Sequence, residues 1–570
     1  MNRSVPIRPR GRILALLLLT LAAAIPAAEE DVYTGGVVAA DHPIAAAAGR
    51  EMLEGGGNAA DAAVATAFCL SVVRPYSCGL GGGGFWLVHL AAENRTIAVD
   101  CRERAPSAVG PDYYENLPDT LASLVGAHSI GIPGMAAGAL HVLEKYGSLE
   151  RAVVLAPAIR AAEEGFVVDA HYAEAAAATA ALFEEKPSWK ETYRFLWERF
   201  LGRGGIREGD MLRLPEQAKA LRLIAESGAG AYYGGPIGEA VAAAVAEGGG
   251  VLGRDDLAAF DARELKPLEG VFTGKRLLTM PPPSSGGITL LEILGIFDRA
   301  MGGEIPEFHS SLHIHLLAEA IKHGFADRAE WLGDPVFTEV PSERLLSGPY
   351  LDERAALVDR KRTKKPEAYG TRAAPPDDGG TSHFSVVDAR GNGVSATESI
   401  NNDFGSYVAV EEFGFLLNDT MDDFTTRPGK ANLYRLRQSE GNRPEPGKRP
   451  LSSMSPTIVL DDEGIFAAAG GSGGPRIITG TLQCLLNVML YGMDAGEAVA
   501  AGRFHHQWMP NTLWLEPGFD KETQQGLFGK GHGLSSIPTV AAVQLIRRVE
   551  GGYQGAGDPR KGGAALGRNR

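Results

Sequence analysis

The sequence predicts an α+β fold in which antiparallel sheets are sandwiched by helix layers. Three observations predict it. Residues 110–370 are Ala/Leu/Glu-rich in long helix-like segments, whereas beyond Thr381 the chain turns to short alternating runs joined by Gly/Asn/Asp turns. Helical segments lie before and between those hairpins, and no series of β-α-β units points to a parallel sheet.

The elements follow in order. Arg3, Arg8, Arg10 and Arg12 precede the apolar run Ile13 to Ile25 and the exit Pro26-Ala27-Ala28-Glu29, the pattern of a secretory signal peptide over residues 1–28. The run is short for a membrane span, so a periplasmic or secreted protein with no membrane contact after leader removal is expected. Gly35 to Ala40 reads as a buried strand. A helix then runs from about Pro43 to Glu54, and another from an Asn58 N-cap to Val73. Phe85–Leu90 and Thr96–Cys101 form a hairpin across Glu93-Asn94. Helices are expected at Arg151–Glu164, His171–Glu185 and about Ser311–Glu330. The run Met280 to Gly287 makes a rigid turn before a further helix. Lys361–Gly380 is charged, then Pro/Gly-rich, and suits an exposed cleavable connector. Thr381–Val387 pairs with Val394–Ile400, and Met454–Leu460 with Ile465–Ala469. A helix from about Arg476 to Leu490 and a final strand near Val540–Ile546 complete the chain.

At 570 residues the chain carries a length prior of roughly three or four domains, although no Pro/Ser-rich linker separates any. Its net charge of −15 becomes −19 once the four leader arginines are removed, which argues against nucleic-acid or anionic-membrane partners. The four cysteines admit three disulfide pairings, yet Cys69, Cys101 and Cys484 sit in apolar runs that suit buried thiols equally. The Gly79–Gly84 cluster lacks a following Lys-Ser/Thr and precedes a strand, so it is no phosphate loop. No cofactor is expected. His315, Glu319 and His323 share one helix face, but a straight stripe rarely converges on an ion without a third element. They read as a packed face, and no metal ligand is assigned.

Two nucleophiles compete. Gly470-Gly471-Ser472-Gly473-Gly474 matches the nucleophile-elbow pattern, with His505 or His506 as a base; its glycines equally suit a loop whose N–H groups face an oxyanion. The other is Thr381. A Thr hydroxyl needs a nearby base, and cutting between Gly380 and Thr381 would free its own α-amine for that task; without Cβ, Gly380 tolerates the strained approach. The plain alternative is a loop entering a strand. Asn401, Asp423, Ser452 and Ser453 lie in loops at strand ends. With Arg102 they offer a cation and hydroxyls for a carboxylate and an anion for an ammonium, a receptor for an amino-acid head group.

Taken together, several long motifs resemble the γ-glutamyltranspeptidase family of N-terminal-nucleophile hydrolases from about residue 35 to 567. They are Gly79 to Phe85, Met280 to Gly287, Ala326-Asp327-Arg328 with Leu332 to Pro335, Thr381 to Asp388, Lys448 to Thr457 and Arg503 to Gln507. The resemblance implies a four-layer αββα sandwich and self-cleavage before Thr381. A large subunit (29–380) and a small one (381–570) would stay together as a heterodimer. It implies that Thr381 is the nucleophile and its α-amine the base. Arg102, Ser452 and Ser453 would hold the substrate α-carboxylate, Asn401 and Asp423 the α-ammonium, and the Gly473 and Gly474 amides the oxyanion. Glutathione and related γ-glutamyl amides would be the donors, with water or amino-acid and peptide amines as acceptors. Tyr434, within 428–448, would belong to a lid loop. Two positions depart from the family: Ser399 replaces a Thr that hydrogen-bonds the nucleophile, and Thr420 replaces a Gln or Glu that grips the α-ammonium. The second departure leaves open a cephalosporin-type acylase or amidase taking glutaryl side chains. An unprocessed binding protein is the non-enzymatic alternative.

Overall fold

The computed structural model describes residues 31–370, 380–426 and 440–569. Its centre is a pair of face-to-face antiparallel sheets. The strands are β1 (Gly36–Ala40), β2 (Gly83–Leu90), β3 (Arg95–Cys101), β4 (Arg263–Leu265), β5 (Leu268–Phe272), β6 (Lys275–Thr279) and β7 (Gly380–Asp388), followed by β8 (Gly393–Asn401), β9 (Thr457–Asp461), β10 (Gly464–Ser472), β11 (Ala542–Val549), β12 (Gly552–Ala556) and β13 (Ala564–Gly567). One sheet has the order β13-β1-β7-β8-β2-β3-β4 and the other β12-β11-β10-β9-β6-β5. Val37, Phe85, Leu87, Val387, Ile458, Ile465 and Ile546 pack between them.

Helices cover both outer faces. On the first lie α1 (Pro43–Glu54), α2 (Ala59–Val73), α3 (Met135–Tyr146) and α4 (Arg151–Glu164); on the second, α5 (Gly286–Met301), α6 (Ser311–Trp331) and α7 (Arg476–Leu490). The result is the αββα sandwich. Helix α2 begins where expected because Asn58 accepts from the Ala60 and Asp61 amides while Asp61 accepts from the Asn58 amide, a reciprocal cap. All fifteen of its residues are buried, with small Ala side chains letting it nest on the sheet. The Gly79–Gly84 cluster serves close approach. A Cβ on Gly82 or Gly84 would fall 2.1 Å from the Ser399 carbonyl oxygen or 2.2 Å from that of Thr397.

Segments before and after Thr381 are interleaved: β7, β8 and β13 sit among β1–β4, and β9–β12 beside β5–β6. A cut at Gly380–Thr381 would therefore leave two pieces sharing both sheets. Three or four separate domains are not what the chain forms. Strands β5 and β6 lie inside the stretch read as mostly helical. They are short and carry Lys275, Arg276 and Glu269 on an edge, so neither alternation nor apolarity marked them. Strand β9 starts at Thr457 instead of Met454, since Pro456 has no amide to donate. Val540–Ile546 is followed by two further strands, β12 and β13.

Candidate active site

Strand alternation sorts β7 and β8 into two faces. Phe384, Val386, Val394 and Ala396 point at the helices. Thr381, His383, Ser385, Ser395, Thr397 and Ser399 occupy the alternate positions, facing the second sheet, and all are buried. There His383 Nδ1 meets Thr397 Oγ1 at 2.8 Å and Nε2 meets Ser385 Oγ at 3.0 Å. Burial lowers the His383 pKa to about 3, so it is a neutral structural bridge.

Thr381 pairs with Ser399 in the β7–β8 register. Thr381 Oγ1 lies 3.2 Å from Ser399 Oγ. The Ser399 hydroxyl donates to the Gly380 carbonyl oxygen and accepts from the Asn401 amide at 2.8 Å. With that proton spent on Gly380, the Thr381 hydroxyl must donate to Ser399. One serine thus touches both the Thr381 hydroxyl and the carbonyl N-terminal to it. Gly380 is required there, because a Cβ would fall 2.7 Å from the Asn401 carbonyl oxygen and 2.8 Å from that of Asn402.

The residues expected to hold a head group, Arg102, Asn401, Asp423, Ser452 and Ser453, are all buried. Asn401 is held at φ +79°, a costly conformation for a side-chain-bearing residue. Its Nδ2 donates to the Asp419 carbonyl at 3.1 Å, and among the described residues its buried Oδ1 has no partner. Arg102 pairs with Asp423 and, at 3.3 Å, with Glu103. Burial pushes the Asp423 carboxyl up, against the pull of Arg102. Ser453 Oγ accepts from Arg328 at 3.0 Å, and the Ser452 carbonyl accepts from the Ser285 hydroxyl at 2.6 Å. Thr420 turns away from this set: its hydroxyl donates to Asn418 Oδ1 at 2.6 Å, inside a knot tying Gly81 to Gly131.

Strand β10 crosses the polar face. Its Ala469 carbonyl accepts from Ser395, and a Cβ on Gly470 would strike the His383 ring at 2.3 Å. Continuing that way, it carries Gly473 (φ +128°) and Gly474 (φ +64°) toward the Thr381 end of β7. Among the described residues neither histidine is hydrogen-bonded to Ser472: His505 is held by Thr479 at 2.8 Å and Gln507 at 3.0 Å, and His506 accepts from the Trp508 amide. Tyr434 lies outside the described residues.

Sequence reasoning missed Arg328, Glu103, Ser285, Ser77 and Lys561. Arg328 and Ser285 stood in quoted motifs and Glu103 beside Arg102, whereas Ser77 and Lys561 carried no signal, since their partner Thr381 is distant in sequence. The α6 stripe does find a third element, which is His532 instead of His323. Among the described residues, His315, Glu319 and His532 form the cluster with metal-like spacing. Lys322 already pairs with Glu319 at 2.8 Å, Tyr369 and Thr363 donate to the same carboxylate, and His315 meets His532 at 2.7 Å. The Lys322 ammonium supplies the positive charge there. The four cysteines are buried free thiols, and burial pushes Cys69 and Cys78 up to about 12.

A family model described as Gamma-glutamyltranspeptidase matches residues 45–568. The glutathione hydrolase proenzyme of Escherichia coli K12 is 38% identical over 545 residues, covering 93% of this chain and 92% of its own. Cephalosporin acylase from Bacillus halodurans superposes with a TM-score of 0.85 at 27% identity, covering 97% of this chain and all of its own. The γ-glutamyltranspeptidase of Helicobacter pylori gives 0.53 at 32% identity over 58% of this chain and 93% of its own.

Proposed function

Because the chain belongs to the γ-glutamyltranspeptidase family, we infer that it is an exported precursor that cuts itself before Thr381 and then acts as a γ-glutamyltransferase and glutathione hydrolase. The observation that carries this reading is the Thr381–Ser399–Gly380 contact. Thr381 Oγ1 attacks the Gly380 carbonyl carbon while Ser399 donates to the developing oxyanion. The C–N bond breaks, the Thr381 nitrogen takes the hydroxyl proton, and water hydrolyses the resulting ester. The products are a Gly380 carboxylate and a free Thr381 amine.

That amine is the base for turnover. It takes the Thr381 hydroxyl proton as Oγ1 attacks the donor γ-carbonyl, then passes it to the departing amine. Water or an acceptor amine attacks the γ-glutamyl ester and restores the hydroxyl. The Gly473 and Gly474 amides serve the oxyanion. Arg102, Ser452 and Ser453 hold the α-carboxylate. The free Asn401 Oδ1 and the Asp423 carboxylate take the α-ammonium. Arg102 and Asp423 pair with each other, and a zwitterionic head group would insert its carboxylate and ammonium between them.

N-terminal sequencing of the smaller fragment tests the reading directly, with Thr381 as its first residue. Thr381→Ala should remain one uncut chain with no turnover of γ-glutamyl-p-nitroanilide. A wild-type chain that turns over substrate while uncut overturns the mechanism. One observation favours a glutaryl-accepting acylase instead: Thr420 makes its contact with Asn418 and adds nothing to the ammonium site. Equal turnover of glutaryl- and γ-glutamyl-p-nitroanilide would select that alternative.

A further inference from the structure

Strand β1 stops pairing with β7 at the Ala40–Phe384 position. Among the described residues no strand continues that edge of β7 to Thr381, and the Thr381 carbonyl needs another donor. Two side chains fill the gap. Ser77 Oγ, just beyond α2, donates to the Thr381 carbonyl at 3.0 Å. Lys561, in the loop before β13, donates to the same oxygen, to Ser77 Oγ at 2.6 Å and to Asp41 Oδ2 at 3.0 Å. Its ammonium stands 5.8 Å from the centre of the Tyr76 ring. Its own carbonyl accepts from buried Arg74 at 2.8 Å, so the loop is fixed at both ends of the residue.

We propose that Lys561 is a positioning residue for the nucleophile, which holds the Thr381 main chain and keeps the freed α-amine unprotonated at neutral pH. The proposal rests on Thr381 being the N-terminal nucleophile. A cation bonded to the carbonyl of a residue lies within about 6 Å of that residue's nitrogen by covalent geometry. At that range a like charge disfavours protonation of the amine. An N-terminal amine has an ordinary pKa of about 7.7–8.0, and a general base works best when its pKa sits near the working pH. Lys561 supplies the downward push.

The other ionisable groups around the site come from several elements. Asp41 follows β1 and pairs with Lys561. Arg74, at the end of α2, is committed to Asp169 at 2.6 Å. Tyr76 is pushed far up by burial and stays neutral. Asp403, after β8, is raised by burial to about 6 although Lys561 pulls it down. On β7 itself, His383 is neutral. Asp41 is the carboxylate in contact with Lys561, so changing Lys561 or Asp41 should move the amine in opposite directions.

The test titrates the Thr381 methyl in processed enzyme labelled with methyl-13C threonine, alongside the acidic limb of kcat/KM for γ-glutamyl-p-nitroanilide. Lys561→Met should raise both midpoints by about one pH unit and lower kcat more than it changes KM, with Lys561→Arg restoring most of the shift. Asp41→Asn, leaving the ammonium uncompensated, should lower both midpoints. Equal midpoints in all variants, or shifts of the same sign for Lys561→Met and Asp41→Asn, overturn the proposal. If Lys561→Met stays uncut, Asp41→Asn decides alone: a downward shift supports the role, and no shift or an upward one overturns it. An uncut wild-type chain sinks the nucleophile reading itself, a failure visible on the gel before any titration.

Discussion

Ser399 Oγ stands 3.2 Å from Thr381 Oγ1 while donating its own proton to the Gly380 carbonyl. In the proposed self-cleavage this side chain would orient the attack and polarise its target. Removing it leaves the carbonyl without that donor in a buried site, where a single oxyanion contact is worth a factor of about 10²–10³ in rate. Ser399→Ala should therefore accumulate full-length precursor, with self-cleavage slowed by roughly that factor. Ser399→Thr should cut at least as fast as wild type, since a β-methyl restricts χ1. A time course of the precursor band on a denaturing gel reads both.

Arg102 reaches Asp423 through Nη2 and Glu103 through Nη1, a fixed planar spread of two nitrogens that the single nitrogen of a lysine cannot reproduce. Arg102→Lys should raise KM for γ-glutamyl donors about tenfold or more with a smaller fall in kcat, because the lost contact holds the head group and not the reacting carbonyl. Steady-state kinetics on processed enzyme separate the two constants.

Thr420 spends its hydroxyl on Asn418, so in the proposed site the α-ammonium would rely on Asn401 and Asp423. Thr420→Gln restores a side chain long enough to reach an α-amine. The ratio of kcat/KM for γ-glutamyl- over glutaryl-p-nitroanilide should then rise by about tenfold, the value of one added hydrogen bond to a charged group. An unchanged ratio would mean that position 420 does not face the substrate amine.

Much of this was legible in the sequence, for identifiable reasons. Helix α2 was readable because its signals are local: Asn58 and Asp61 cap it and Gly57 stops its predecessor. The β7–β8 hairpin was readable because Gly391-Asn392-Gly393 marks its turn and alternation marks its faces. Strands β5 and β6 were not, since their identity comes from the sheet that β6 joins to β9 and β5 edges. At the site, Thr381 and Arg102 stood out by chemistry and motif. Lys561 did not, because its partner Asp41 is 520 positions away and nothing near either residue announces the other. The hydroxyl knot around Asn418 was equally hidden: a Thr near two aspartates looks like a ligand until its proton is traced.

Glu398 carries the last expectation. It sits one position before Ser399 but on the opposite face of β8, among the α2-side residues. Among the described residues neither carboxylate oxygen has a close hydrogen-bond partner, and the nearby Trp86 indole pulls its pKa down somewhat. Burial dominates and raises it to about 8 from an ordinary 4.5, with Glu103 pushing the same way. A carboxyl with a raised folded-state pKa binds its proton more tightly when folded. Its contribution to stability is therefore fully present below about pH 4.5 and is lost as pH rises through about 8. Glu398→Gln keeps the neutral shape and removes the titration. The variant and wild type should melt at similar temperatures at pH 5. By pH 9 the variant should melt several degrees higher, the equivalent of a few kcal/mol for a shift of this size. Thermal unfolding of the processed enzyme at the two pH values measures it, and equal melting at pH 9 would show that Glu398 ionises without cost.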